Sequence, residues 1–136
     1  MSAAAISAPA PRLASWAGRI LTGLVTAFML FDAAIKLIKI QPVTDSFAQL
    51  GYPDSLARGI GALELAITVL YVLPRTAVLG AILLTGIMGG AIASHLRLGD
   101  PLFSHTLFGV YLGVMAWGGL YLRDAKLRAL LPFARA

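Results

Sequence analysis

Seven ionisable residues stand out because they interrupt sequence that is otherwise apolar: Asp32, Lys36, Glu64, His95, Arg97, Asp100 and His105. Carboxylate and imidazole groups exchange protons, and a lysine or arginine beside them supplies a fixed charge or a hydrogen-bond donor. Asp32 and Lys36 stand four residues apart, so on a helix they share a face and neutralise each other. Glu64 has no basic residue within one helical turn of itself, so its partner must come from another helix unless the group is protonated. His95 and Arg97 lead into Gly99-Asp100-Pro101, and His105 follows that turn. Asp32, Lys36, Glu64, His95, Arg97 and His105 are the candidate ligand-binding or proton-exchanging residues, and no catalytic role is assigned to any of them. Two histidines at similar depth could ligate haem b, and together with two carboxylates could hold a transition metal. Two are few, however, and no local His/Glu motif or ligand spacing is present, which speaks against both groups. Phe28, Phe31, Tyr71, Tyr111 and Trp117 could line a quinone pocket, although such side chains more often fill a bundle core or an interfacial belt.

The elements that must position these groups follow from hydropathy. Of 136 residues, 59% are hydrophobic and only 12% charged, with a mean hydropathy of +0.85. Soluble domains carry about 25% charged residues, so water is not the solvent for most of this surface. Four apolar runs, 16–36, 55–73, 76–96 and 102–122, each approach the length of a bilayer crossing. The expected fold is all-α: an antiparallel bundle of four transmembrane helices spanning residues 16–124 as one domain. Residues 1–15 read as a flexible tail and 125–136 as a basic cytoplasmic tail.

Pro74 and Arg75 leave room only for a tight hairpin between spans two and three. Between spans three and four, Gly99 suits a helix C-terminus, Asp100 an N-cap and Pro101 a first helical position. The longer connection from Leu37 to Asp54 places Val43, Phe47 and Leu50 on one helical face, which predicts a short amphipathic interfacial helix over the mouth of the bundle. Gly86–Gly90 and Gly109–Gly113 are GxxxG pairs, able either to close the monomer or to join two chains.

The eleven basic residues punctuate the apolar runs rather than clustering, which excludes a nucleic-acid surface and reads as membrane topology. Arg12, Arg19, Arg75, Arg123, Lys126, Arg128 and Arg135 fall on one side and Lys36, Lys39, Arg58 and Arg97 on the other, so both termini are expected in the cytoplasm. With that orientation, Asp32, Lys36, Glu64, His95 and His105 all fall in the outer half. Cysteine is absent, which excludes disulfides, thiol redox catalysis and thiolate metal sites.

The segments GRILTGLVTAFMLFDAAIKL, FAQLGYPDSLARGIGALELA, YVLPRTAVLGAILLTGIMGGAIASHLRLGDPLFSH and WGGLYLRD, in that order, resemble the DoxX-like family of small bacterial four-helix membrane proteins. The resemblance covers about Gly18 to Asp124. It implies that Asp32 and Lys36 are the family's first-span acid and lysine, Glu64 its second-span glutamate, and His95, Arg97, Gly99, Asp100 and Pro101 its H-x-R-x-G-D-P turn. It also implies a bacterial inner-membrane location and an association with redox or oxidative-stress complexes; the cofactor is left open, with a quinone as one candidate, and a redox protein or a second copy is a candidate partner. The reading is a redox-associated membrane subunit, or a binder of quinone or another small lipophile, with a polar pocket in the outer half of the bundle. A non-catalytic scaffold and a freestanding membrane enzyme acting on a lipophilic small molecule are the alternatives.

Overall fold

The computed structural model describes residues 12–131, so the expected tail over residues 1–11, Arg135 in the charge count and the end of the basic tail lie outside the described residues. Among the described residues the chain is helical without strands. Its helices are α1 (Arg12–Ile38), α2 (Gln41–Leu50), α3 (Ala57–Val72), α4 (Ala77–Leu98), α5 (Phe108–Arg123) and α6 (Ala125–Leu130). A 3₁₀ turn at Asp54–Leu56 leads into α3 and a wide π turn at Leu102–Thr106 leads into α5.

Each boundary has a local cause. Leu73 turns extended (ψ 127°) ahead of Pro74, as a residue before proline must, and α3 ends there. Gly51 (φ 77°) and Gly99 (φ 67°) end α2 and α4 in the left-handed conformation that lacks a penalty only for glycine. The Asp124 side chain accepts from the Lys126 and Leu127 amides and so starts α6. Arg128 in turn donates to the Tyr121 and Leu122 carbonyls, filling two orphan acceptors at the end of α5.

Helix α1 packs on α3 and α5, and α4 packs on the same two, so the four longer helices close a ring. Val25, Met29, Ile67, Tyr71, Ala81, Leu84, Leu112, Ala116 and Leu120 fill its centre. The outside is apolar too: Ile20, Leu24 and Phe31 on α1, Leu63 and Val69 on α3, Ile82 on α4 and Val114 on α5 are all exposed. Helices apolar on every face belong in lipid, where each backbone polar group must be satisfied within its own helix.

Arg12–Ile38, Asp54–Val72 and Ala77–Leu98 are long and apolar enough to cross a membrane. The fourth expected span differs. Its first turn, Leu102–Thr106, is wound wide, with Leu107 N–H bonded to the Leu102 carbonyl, and α5 itself has 16 residues. Sixteen residues reach about 24 Å, less than a hydrocarbon core of about 30 Å, so hydropathy alone overstated the regular helix here. The first span is longer than expected, since residues 12–15 are helical.

Glycines decide how closely the helices cross. A Cβ on Gly18 would stand 2.9 Å from the Gly119 carbonyl, and one on Gly119 would stand 3.0 Å from the Gly18 carbonyl, so α1 and α5 meet backbone to backbone. Gly109 instead makes room for the Ile92 side chain of α4, which would stand 2.9 Å from a Cβ there. Gly86, Gly90 and Gly113 face open space, so only one of the four GxxxG glycines closes the monomer.

Candidate functional site

At the end of the ring opposite the Gly18–Gly119 crossing, the helices spread around a cavity of about 530 Å³. Phe28 of α1 and Phe108 of α5, with ring centroids 5.0 Å apart, hold those two helices open where glycine lets them touch at the other end. The walls are mainly apolar, with Ile60, Leu63, Ile87 and Met88 among them, and Asp32, Lys36, Glu64, His95 and His105 all line the space.

The polar groups fall into two sets. Lys36 Nζ donates to Asp32 Oδ2 and to Glu64 Oε1, both at 2.6 Å. The first bond follows from the four-residue spacing on α1; the second requires α3 to come unusually close. Gly61, one turn before Glu64, permits this, because a Cβ there would stand 2.9 Å from Lys36 Cβ and 3.0 Å from the Ala33 carbonyl. Glu64 is 2% exposed, and its Oε2 has no partner among the described residues. Burial of a carboxylate is tolerable only with compensating charge and hydrogen bonds, and Lys36 provides them on one oxygen alone.

The second set lies on α4 and the turn after it. His95 Nδ1 is 2.6 Å from Asp100 Oδ2. A carboxylate accepts, so Nδ1 donates, and in the neutral ring Nε2 is left as an acceptor. Asp100 was expected to cap the fourth span; its carboxylate is instead committed to His95, and the turn that follows has no side-chain cap. The His105 ring stands edge-on to His95, with centroids 5.8 Å apart, and its Nδ1 lies 2.8 Å from Ser104 Oγ. Among the described residues no three His, Asp or Glu side chains are grouped as metal ligands; between Asp32 and Glu64 the cationic position is taken by the Lys36 ammonium.

Helix α2 covers this end. Its Val43 and Phe47 are buried with Ala57 against Ile35, Ile40 and Ile60, and Phe47 and Leu50 continue into the cavity wall. Two polar bonds tie the strap to α4. Arg97 Nη2 donates to the Leu50 carbonyl at 2.5 Å, and Tyr52 and Ser94 hydroxyls lie 2.7 Å apart. Ser94 gives its single proton to the Gly90 carbonyl, so Tyr52 donates to Ser94. Arg97 is therefore a brace for the connection rather than part of the cavity lining. Lys39, in the left-handed conformation at φ 61°, turns the chain from α1 into α2 and pairs with Asp54 at 2.8 Å.

Sequence reasoning did not tie Tyr52, Ser94 or Gly61 to the site, although Gly61 is among the small residues suited to close helix approach. The signal for Tyr52 was its place between Gly51 and Pro53 at the exit of an amphipathic helix; Ser94 carries none apart from tertiary context. Of the aromatic residues considered for a quinone pocket, only Phe28 lines the cavity. Tyr71 is buried core, donating to the Ala116 carbonyl, Trp117 donates to Thr85, Tyr111 donates to the Phe103 carbonyl, and Phe31 faces outward. Phe47 and Phe108 take the positions expected of the others.

The profile of the DoxX-like family matches residues 20–119, which hold most of the ring and every cavity residue named above. The chain belongs to the DoxX-like family. As a DoxX-like protein with helices apolar on all faces, it is a membrane protein whose outer surface contacts lipid. Comparisons with curated proteins and with solved structures find no match.

Proposed function

We propose that this DoxX-like chain binds a quinone or a similar small lipophile in the α2-covered cavity, as a redox-associated subunit of the bacterial inner membrane. The observation that carries the reading is Glu64: a buried carboxylate on an apolar cavity wall, held through one oxygen by Lys36 while the other has no partner among the described residues. Ligand sites are commonly apolar cavities of about 300–1,000 Å³ with a few convergent polar groups, and this cavity of about 530 Å³ meets that description. The ligand's ring would lie among Phe28, Phe47, Phe108 and Met88. Its carbonyl or hydroxyl oxygens would meet the Asp32–Lys36–Glu64 group on one side and His95 on the other.

Reducing a quinone to a quinol takes two electrons and two protons. The electrons would come from a redox partner protein, while the carboxylate–lysine group and the His95–Asp100 pair exchange the protons. In this reading residues 16–124 form one four-span domain, with the π turn and α5 together making the fourth crossing. Both termini are cytoplasmic, which sets the cavity in the outer half of the membrane. The test is mass spectrometry of the organic extract from protein purified out of membranes. A quinone or other oxygenated lipophile should be enriched with the wild type and lost with the folded Glu64→Gln/His95→Ala protein. Equal recovery from both would remove the assignment.

A second reading has its own observation. Gly86 on α4 and Gly113 on α5 have open space where a side chain would stand, which suits close approach by a second helix bundle; Gly90, by contrast, opens onto the cavity. The chain would then act as an assembly scaffold, its polar group fixing helix register. Gly86→Ile should abolish a cross-linked dimer under this reading and leave ligand recovery unchanged under the first.

A further inference from the structure

A second groove, of about 450 Å³, opens on the side of the ring at the Gly18–Gly119 end. Its lining is ordered by chemistry along α1. Arg19 stands at the mouth with Arg123 of α5, Thr22 and Thr26 follow, and Gly23, Ala27, Leu30 and Val72 of α3 complete an apolar track. Arg19 to Leu30 is eleven residues, or roughly 16 Å of helix. Among the described residues no carboxylate lines the groove. Asp124, next in sequence to Arg123, is already committed to starting α6.

The polar groups here are under-satisfied. Arg123 Nε donates to Thr22 Oγ1 at 3.0 Å and its guanidinium lies 5.8 Å from the centroid of the Tyr71 ring, while its buried Nη2 has no hydrogen-bond partner among the described residues. Buried Thr26 Oγ1 also has none. Arg19 is positioned by the exposed Trp16 ring, 5.6 Å from its guanidinium, and makes no ion pair among the described residues. Two cations at one end of an apolar track, with spare donors and no acid, match an amphiphile carrying a phosphate at its polar end.

We propose that this groove is a site for one anionic phospholipid, with its phosphate at Arg19 and Arg123 and an acyl chain running past Gly23 and Ala27 to Leu30. Basic pockets between membrane helices recognise lipid headgroups in this way. The proposal rests on the membrane-spanning reading and not on any ligand in the α2-covered cavity, so the two can fail separately. The groove makes the bound lipid a wedge between α1, α3 and α5 where those helices are otherwise closed by glycine.

The test is native mass spectrometry of the full chain released from phosphatidylcholine bilayers containing phosphatidylglycerol. One phosphatidylglycerol should be retained in preference to phosphatidylcholine. Each of Arg19→Gln and Arg123→Gln should weaken retention about fivefold, the equivalent of about 1 kcal/mol per basic residue at a membrane surface. Leu30→Trp, which fills the apolar track without changing charge, should weaken it as well. Arg75→Gln, at the same end but outside the groove, should leave it unchanged. Arg19→Gln keeps the test decisive if Arg123→Gln does not fold, because Arg123 also bonds to Thr22. Three results would overturn the proposal: equal retention of both lipids, equal losses for Arg75→Gln and Arg19→Gln, or displacement of the lipid by inorganic phosphate alone.

Discussion

The two ends of the ring are built on opposite principles. At the Gly18–Gly119 end, glycine removes side chains and the backbones of α1 and α5 touch; charge is carried around the rim of that end, on Arg19, Arg123 and Arg128. At the α2 end, Phe28 and Phe108 spread the same two helices, and charge is carried inside by Asp32, Lys36 and Glu64. A membrane bundle gains nothing from hydrophobic association between its helices, so it closes by packing wherever it can. Space kept open at one end, with ionisable groups placed inside it, costs stability that the closed end does not forgo. That asymmetry is the physical reason for placing function at the α2 end.

The sharpest way to break the comparison is to remove the charge that holds the open end together. Lys36→Met leaves Asp32 and Glu64 without their shared cation, and should cost about 3–5 kcal/mol. Unfolding in detergent by denaturant would measure it, and adding Glu64→Gln should recover part of the loss, because one buried charge is then removed with the other. Crowding the crossings comes next. Gly61→Val and Gly119→Val should each cost about 1–3 kcal/mol in the same assay, the first by driving α3 away from Lys36 and the second by separating α1 from α5. Gly61→Val should also impair ligand binding, whereas Gly119→Val should not.

Loosening the cover is a smaller change. Tyr52→Phe removes the hydrogen bond to Ser94 and should lower stability by about 1 kcal/mol, while speeding hydrogen exchange in α2 specifically. The smallest effect is expected at Gly113. An alanine there meets open space and should be neutral or stabilise the helix by up to about 1 kcal/mol, provided the protein is monomeric. A loss at Gly113→Ala would point to a helix–helix interface on that face.

Much of this was legible in the sequence because the membrane restricts what the chain can do. Apolar runs and proline or glycine boundaries marked the helices, and the deep Glu64, without a basic residue within one turn, needed either a partner from another helix or a proton; Lys36 of α1 is that partner. The course of α2 followed from the spacing of Val43, Phe47 and Leu50. What was not legible depends on distances between helices. Hydropathy has no term for hydrogen-bond register, so the π turn at Leu102–Thr106 was read as ordinary helix. Asp100 looked like a cap because capping is local, whereas its bond to His95 depends on how Gly99 redirects the chain. Gly61 looked like any other small residue until its neighbour across the crossing was known.

The central claim is that Glu64, poised by Lys36 on an apolar wall, is the group a lipophilic oxygenated ligand meets. A titration of the purified chain with a short-tailed quinone, followed by calorimetry, compares wild type with Glu64→Gln. The account predicts saturable binding by the wild type and about tenfold or greater weakening in the folded variant, the loss expected for a hydrogen bond to a charged group. Binding that is unchanged by the substitution, or no binding by the wild type, would contradict it.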